Sequence, residues 1–391
     1  MSLPDESDDD WRFKDPEPEP SLFEDEPEAP PWVRGVLRRK AEAPSAPAIP
    51  SGFLRALSEA EDSLSRLDSA TQAAPPSIQE GIAARMALQE AAGWLAHADA
   101  WIHPLDLALR DMGLTGSFLA AAISGRVRKE MPSTARSAGI SGWNEEDPDS
   151  LPEDLVVGSA LALARTLRRL ATTTTFRPMS SAAGLQAALK PFGGAVDEGA
   201  FDAWKATWRR DIETNGPLLA SLSAAGRWAE VEENVYVSGS LADRNLRCAL
   251  VGAIAASASG RLRATPLPLW TSVPGQPAAA WRRNPSLSSD SATAIPVLQQ
   301  IAEGSKAGLR ELGRLLDAAH RAASLTSDLD KRSRLPDAVD AVLRVPAMTP
   351  TTLARRIKVT QQTANDLLRQ LARAGVVREA TGRKAFRAYA A

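Results

Sequence analysis

Thr349-Pro-Thr-Thr-Leu-Ala-Arg-Arg-Ile-Lys-Val-Thr360-Gln-Gln-Thr-Ala-Asn-Asp-Leu-Leu-Arg-Gln-Leu-Ala-Arg-Ala-Gly375 is the stretch that decides the fold. Leu353, Ala354 and Ile357 fall on one face of a short helix beginning at Thr349 or Thr351, with Arg355, Arg356 and Lys358 outside it. A tight turn at Val359 leads to Thr360, which stands where an N-cap belongs. Gln361 to Ala374 then repeats Ala364, Leu367, Leu368 and Leu371 on one helical face. Gly375 stops that helix where a left-handed residue costs least.

Upstream of this stretch, Asp337 after Pro336 opens another short helix, with Val339, Val342 and Leu343 apolar and Pro346 as its stop. Downstream, Val376-Val377, a polar tip from Glu379 to Arg383, and Ala385 to Tyr389 read as a two-stranded ribbon. Three helices and a basic hairpin in this order predict a winged helix-turn-helix over 331–391. Its ordinary use is DNA binding, and a helical protein-docking domain is the alternative.

The third helix can be registered at 100° per residue. Opposite its apolar face lie Gln362, Asp366, Arg369 and Arg373, with Asn365 at the edge. Gln and Asn suit adenine in the major groove and Arg suits guanine, so these five are the base-facing candidates. Asp366 repels phosphate, and it is expected over bases or paired with Arg369 or Arg373. Arg355, Arg356, Lys358, Thr360, Arg383, Lys384 and Arg387 are placed for phosphate, where contacts give affinity without sequence information.

The charge distribution agrees. The 391 residues carry 46 Lys+Arg against 48 Asp+Glu, a formal charge of −2 that excludes nothing. Residues 1–31, however, hold 12 acidic and 2 basic side chains, whereas 331–391 hold 13 basic and 4 acidic. An acidic front and a basic back point to an acidic tail and a nucleic-acid-binding end. Residues 1–50 also contain 10 of the 28 prolines and show no periodicity, so they are expected to be a disordered tail. Trp11, Phe13, Leu22, Phe23 and Trp32 leave room for a protein partner of that tail.

Between tail and C-terminus, Ala/Leu-rich helical spacing dominates 51–330, with a possible break near 131–153. Leu54, Leu57, Ala60, Leu64 and Leu67 mark a first helix; Ser77 to Trp101, Asp154 to Ala171 and Asp197 to Arg210 mark others, the last stacking Phe201, Trp204 and Trp208. Pro266 to Pro296 reads as an irregular connection. Ala294 to Leu325 reads as a long helix weakened by Gly304, Gly308 and Gly313, whose apolar stripe of Leu298, Ile301, Leu309, Leu312, Leu315 and Leu316 either packs within its own chain or pairs two copies into a homodimer. The fold class is therefore mainly α: a bundle-like helical body, a C-terminal winged helix-turn-helix and an acidic tail.

Other chemistry is thinly supported. One Cys and three His cannot form a disulfide framework or a four-ligand zinc site from those residue types. His97 and His103 lie six positions apart, about 240° around a helix, and share no face. No phosphate-binding glycine loop is present, and Cys248 sits in an Ala/Val/Leu run as a small apolar residue. No catalytic residues, metal or cofactor are expected. The longest apolar stretches fall short of about 20 residues and the N-terminus lacks a signal peptide's basic and apolar regions, so no membrane and a cytoplasmic location are expected.

Gly260-Arg-Leu-Arg263 with Pro266-Leu-Pro-Leu269, Gly308-Leu-Arg-Glu-Leu312, Ser333-Arg-Leu-Pro336, Lys358-Val-Thr360, Ala364 and Thr381-Gly-Arg383 carry a resemblance. From about Val237 to Arg387 the chain resembles an uncharacterised alphaproteobacterial, often plasmid-borne, family: a helical domain of unknown function followed by a helix-turn-helix. That resemblance implies DNA binding. The layout also looks like the back half of Fic-type adenylyltransferases, whose activity needs a His-Pro-Phe-x-x-Gly-Asn-Gly-Arg loop. Gly239-Ser-Leu-Ala-Asp-Arg-Asn-Leu-Arg247 has the corresponding place without the His. The expected function is a DNA-binding transcriptional regulator acting on double-stranded DNA. The alternative is a degenerate Fic-like nucleotide-handling or protein-modifying domain.

Overall fold

Helix α1 (Ser51–Ala73) turns Phe53, Ala56, Ala60, Leu64 and Leu67 inward, a stripe at spacings of three and four. Leu54, expected inside, is instead 49% exposed, because the core register starts one residue earlier, at Phe53. The computed structural model describes residues 51–97, 102–114, 153–234, 241–269, 291–326, 333–381 and 387–391. The acidic tail and most of the 131–153 break lie outside them.

After α1 come α2 (Pro76–His97), α3 (Pro104–Asp111), α4 (Glu153–Thr172), α5 (Ala182–Leu189), α6 (Glu198–Asn215), α7 (Pro217–Asn234) and α8 (Leu241–Ala258). The long α9 (Ser291–Thr326) follows, then α10 (Leu335–Leu343), α11 (Pro350–Ile357) and α12 (Gln361–Arg373), and last β1 (Arg378–Glu379) and β2 (Tyr389–Ala390). The protein is mainly α, a helical body with a C-terminal helix-turn-helix.

Two buried clusters organise the described residues. The larger is packed by α2, α4, α7 and α8, with Phe201, Trp204 and Trp208 of α6 against Trp228 of α7. Trp204 stacks on Trp208 at 6.4 Å and meets Trp228 edge-on at 5.1 Å, the face expected from the sequence. Inside it, Arg247 is 2% exposed and fully committed. Its guanidinium donates twice to Glu232 at 2.9 Å and once to the Phe192 carbonyl at 2.8 Å, while Trp228 Nε1 also donates to Glu232. Arg247, the arginine of the Fic-like spacing, thus ties α7 to α8; residues 235–240 lie outside the described ones.

The connection after α8 is pinned by two carboxylates. Asp68 of α1 accepts the Arg263 and Ala264 N–H groups at 3.1 and 2.8 Å and the Thr265 hydroxyl at 3.2 Å. Glu90 of α2 accepts the Leu269 N–H at 2.7 Å. These bonds satisfy backbone donors that a Pro-rich segment cannot place in a ladder. Residues 270–290 lie outside the described ones. The irregular connection was expected to last to Pro296, yet α9 already begins at Ser291 and takes Pro296 into its second turn, where one intrahelical hydrogen bond is forgone near the end of a 36-residue helix.

Helix α9 lies along α1, and Gly308 allows the approach: a Cβ there would stand 2.8 Å from a Leu67 methyl. Leu298, Ile301, Leu312 and Leu315 are buried within the chain. Most of the apolar stripe that suggested a homodimer is covered internally by α1, α2 and α10, whereas Leu316 of the same helix is 42% exposed.

His103 caps α3, its Nδ1 accepting the Leu105 N–H at 3.1 Å, with Pro104 in the first turn. The His97 side chain lies outside the described ones, and no metal-holding cluster exists among the described residues. Cys248 is buried in α8, as expected. No helix among the described residues is long and apolar enough to cross a membrane.

Candidate nucleic-acid interface

Three helices and a short ribbon build the interface. Helix α10 starts at Leu335, two residues before the expected Asp337, because Pro336 fits the first turn, where its missing N–H costs nothing. Leu335, Ala338, Ala341, Val342 and Leu343 are buried, while Val339 stays half-buried. Thr349 caps α11 by accepting the Thr352 N–H at 3.1 Å, and Thr360 caps α12 by accepting the Thr363 N–H at 3.1 Å. Each threonine also bonds the hydroxyl of its partner, at 2.9 and 2.8 Å.

The turn between the helices falls on Lys358, one residue before the expected Val359. Lys358 has φ 55° and ψ 52°, the left-handed region, and its N–H returns to the Ala354 carbonyl. A lysine there costs about 1–2 kcal/mol, and glycine would relieve this at about 0.5–1 kcal/mol of chain entropy. Lys358→Gly is therefore expected to raise the unfolding free energy by up to about 1 kcal/mol while weakening DNA binding about tenfold at 0.1 M salt through one lost phosphate contact. Urea unfolding and a binding titration on the same sample check the opposed signs; two changes of one sign would contradict it.

On α12, Ala364, Leu368 and Leu371 are fully buried and Leu367 is half-buried. Gln362, Asp366, Arg369 and Arg373 are exposed on the opposite face and Asn365 is half-buried at its edge, as the helical register requires. Asp366 accepts Gln362 Nε2 at 3.2 Å and lies 4.0 Å from Arg369. It therefore has a hydrogen-bond donor one turn before it and a cation at ion-pair range one turn after it on the exposed face of α12. Gln361 and Gln370, also exposed on α12, were missed; they sit on its flanks, which a two-face reading leaves unassigned.

Gly375 ends α12 at φ 69°, and Arg321 of α9 donates to its carbonyl at 2.9 Å. The first strand was expected at Val376-Val377. Both are buried below the helix end, the Val376 N–H returning to the Leu371 carbonyl at 2.9 Å, so pairing starts at Arg378. Arg378 faces Ala390 and Glu379 faces Tyr389 in an antiparallel register. Met348, just before α11, pairs with Tyr389 from the other side, through N–H to carbonyl bonds of 2.8 and 2.9 Å.

The phosphate candidates divide. Arg355, Arg356 and Lys358 are all exposed on α11 and at its end, and Thr360 is the cap of α12. Arg356 also borders a cleft against the helical body. Arg387 lies 3.5 Å from Glu379 on the ribbon. Arg383 and Lys384 lie outside the described residues.

The interface is anchored to the body by a second core. Leu67, Ile78, Ile82 and Met86 of α1 and α2, and Leu312 and Leu315 of α9, pack with Leu335, Val342 and Leu343 of α10 and Leu353 of α11. Through this core runs Arg85, 6% exposed on α2. It donates to the carbonyls of Gly81, Leu343 and Val345 at 3.1, 3.2 and 3.1 Å and lies 3.3 Å from Glu311 of α9. Burial pulls its pKa down to about 10 against the opposing pull of Glu311, so it remains charged at neutral pH. Nearby, Arg344 joins Asp340 at 2.7 Å and also reaches Glu80 of α2.

Residues 335–390 match the family of HTH DNA-binding domains. The match begins at the first residue of α10 and runs to the end of β2, so its bounds coincide with the geometry. The protein carries an HTH DNA-binding domain at its C-terminus. No curated protein matches the chain.

Proposed function

We propose that the protein is a DNA-binding transcriptional regulator in which the C-terminal domain works as a winged helix-turn-helix. The carrying observation is α12: an apolar face with Ala364, Leu368 and Leu371 buried and, opposite it, an exposed row of Gln362, Arg369 and Arg373 at the end of the chain with excess positive charge. In this reading α12 enters the major groove of double-stranded DNA. Asn365 and Asp366 border the bases, and Arg355, Lys358 and the capped start of α12 hold phosphates. The ribbon supports the wing, with Arg383, Lys384 and Arg387 toward the backbone. The reading assigns no catalytic role, and its DNA partner implies a cytoplasmic location.

Selection of preferred sites from a random duplex pool tests it. Arg369→Ala is expected to relax preference at one base pair, at a cost of about 1–3 kcal/mol for the preferred site, whereas Arg355→Ala weakens all sequences alike. The reverse pattern would mean that a different face of α12 meets the bases.

The opposed charges of the two ends add a regulatory prediction. A tail with net charge −10 over residues 1–31, on the same chain as a segment at +9, competes with phosphate at high effective concentration. Deleting residues 2–31 is expected to tighten DNA binding, most at 50 mM salt where screening is weakest. Equal affinity of the full-length and truncated proteins there would leave the tail as a recruiter of another protein.

A further inference from the structure

A solvent-open cleft of about 120 Å³ lies between α2, α3 and α4 of the body on one side and the segment leading into α11 and α11 itself on the other. Its floor is apolar: Leu88, Met112 and Leu161 on one wall, Pro346 and Met348 on the other. Four charged side chains line it, namely Asp111, Arg165, Arg168 and Arg356. Asp111 is already committed, accepting Arg165 Nε and Nη2 at 2.9 and 2.6 Å. Among the described residues neither Arg168 nor Arg356 has a carboxylate partner, and both side chains line the cleft beside its apolar floor.

That combination selects its occupant by chemistry. An uncharged apolar molecule would fill the floor and leave both cations unanswered. A duplex phosphate would answer the cations but has no apolar part to cover Leu88, Leu161 and Met348. We propose that the cleft binds a small amphipathic carboxylate, with its apolar part on that floor and its carboxylate on Arg168 and Arg356. Arg168 belongs to the body and Arg356 to the helix-turn-helix, so one ligand spans both and fixes the docked arrangement. The site lies apart from the exposed face of α12, so it stands or falls separately from the DNA-binding reading.

The probe is 8-anilinonaphthalene-1-sulfonate, an aromatic anion that brightens in apolar surroundings, titrated onto the intact chain and displaced by octanoate or by 1-octanol. The expected result is saturable binding at one site per chain, displaced by octanoate at a concentration at least tenfold lower than by octanol. Arg168→Gln, a surface change that leaves the apolar floor intact, is expected to abolish the advantage of octanoate. Ala164→Trp fills the cleft and is expected to abolish probe binding, with circular dichroism and the melting temperature reporting whether it folds. Should it not fold, the Arg168→Gln, Arg356→Gln double variant decides in its place. Absent probe binding, equal displacement by octanoate and octanol, or an Arg168→Gln protein that behaves as the parent, overturns the proposal.

Discussion

Arg85→Ala is expected to lower the unfolding free energy by about 2–4 kcal/mol, because two carbonyls at the end of α10 lose a charged donor inside a dry seam. The top of the range for a broken buried ion pair is not reached, since Glu311 keeps Arg314 at 2.9 Å. The same seam is tested sterically at Gly81, where an added Cβ would overlap the Leu343 carbonyl oxygen. Gly81→Ala is expected to cost about 1–3 kcal/mol by forcing the two backbones apart. Both changes open one seam, so the double variant should lose clearly less than the sum. Urea unfolding of the four proteins measures this, and strict additivity would show that the two residues act at separate places.

The second large effect is on DNA binding. Arg355 and Lys358 are exposed and neither packs in either core, so replacing both with alanine should change stability little. Each lost phosphate contact costs about a factor of ten at 0.1 M salt, so the double variant should bind duplex DNA about a hundredfold more weakly, roughly 3 kcal/mol. Its salt dependence should also be shallower by about two phosphates. A loss below tenfold, with the fold intact, would place the DNA on another surface.

The DNA-binding end was legible because its signals are local. Thr349 and Thr360 as caps, Gly375 as a stop and the 3.6-residue period of α12 each act within a few residues, and the structure keeps all of them. The exposed row of Gln362, Asp366, Arg369 and Arg373 followed from the period alone. What sequence did not show depends on distant segments. Helix α9 looked like a stripe in need of a partner, and only the fold supplies α1 as that partner. Arg85 stood in the apolar run from Ile82 to Leu88, where a charge should have raised the question of what compensates it. The answer, Leu343, Val345 and Glu311, lies more than 200 residues away in the chain. Arg356 is exposed like its neighbour Arg355 and in addition borders a cleft against the body, which depends on distant segments. The ribbon slipped by two residues because Val376 and Val377, good strand formers, are needed to seal the core under α12.

The intact chain is expected to hold duplex DNA through the basic face built on α11, α12 and the ribbon. A salt titration of duplex DNA binding by the full-length protein tests this most directly. With about six cations on phosphate, affinity should fall by on the order of a thousandfold between 50 and 200 mM salt. Affinity that stays constant over that range, or no binding at 50 mM with the tail removed, would contradict it.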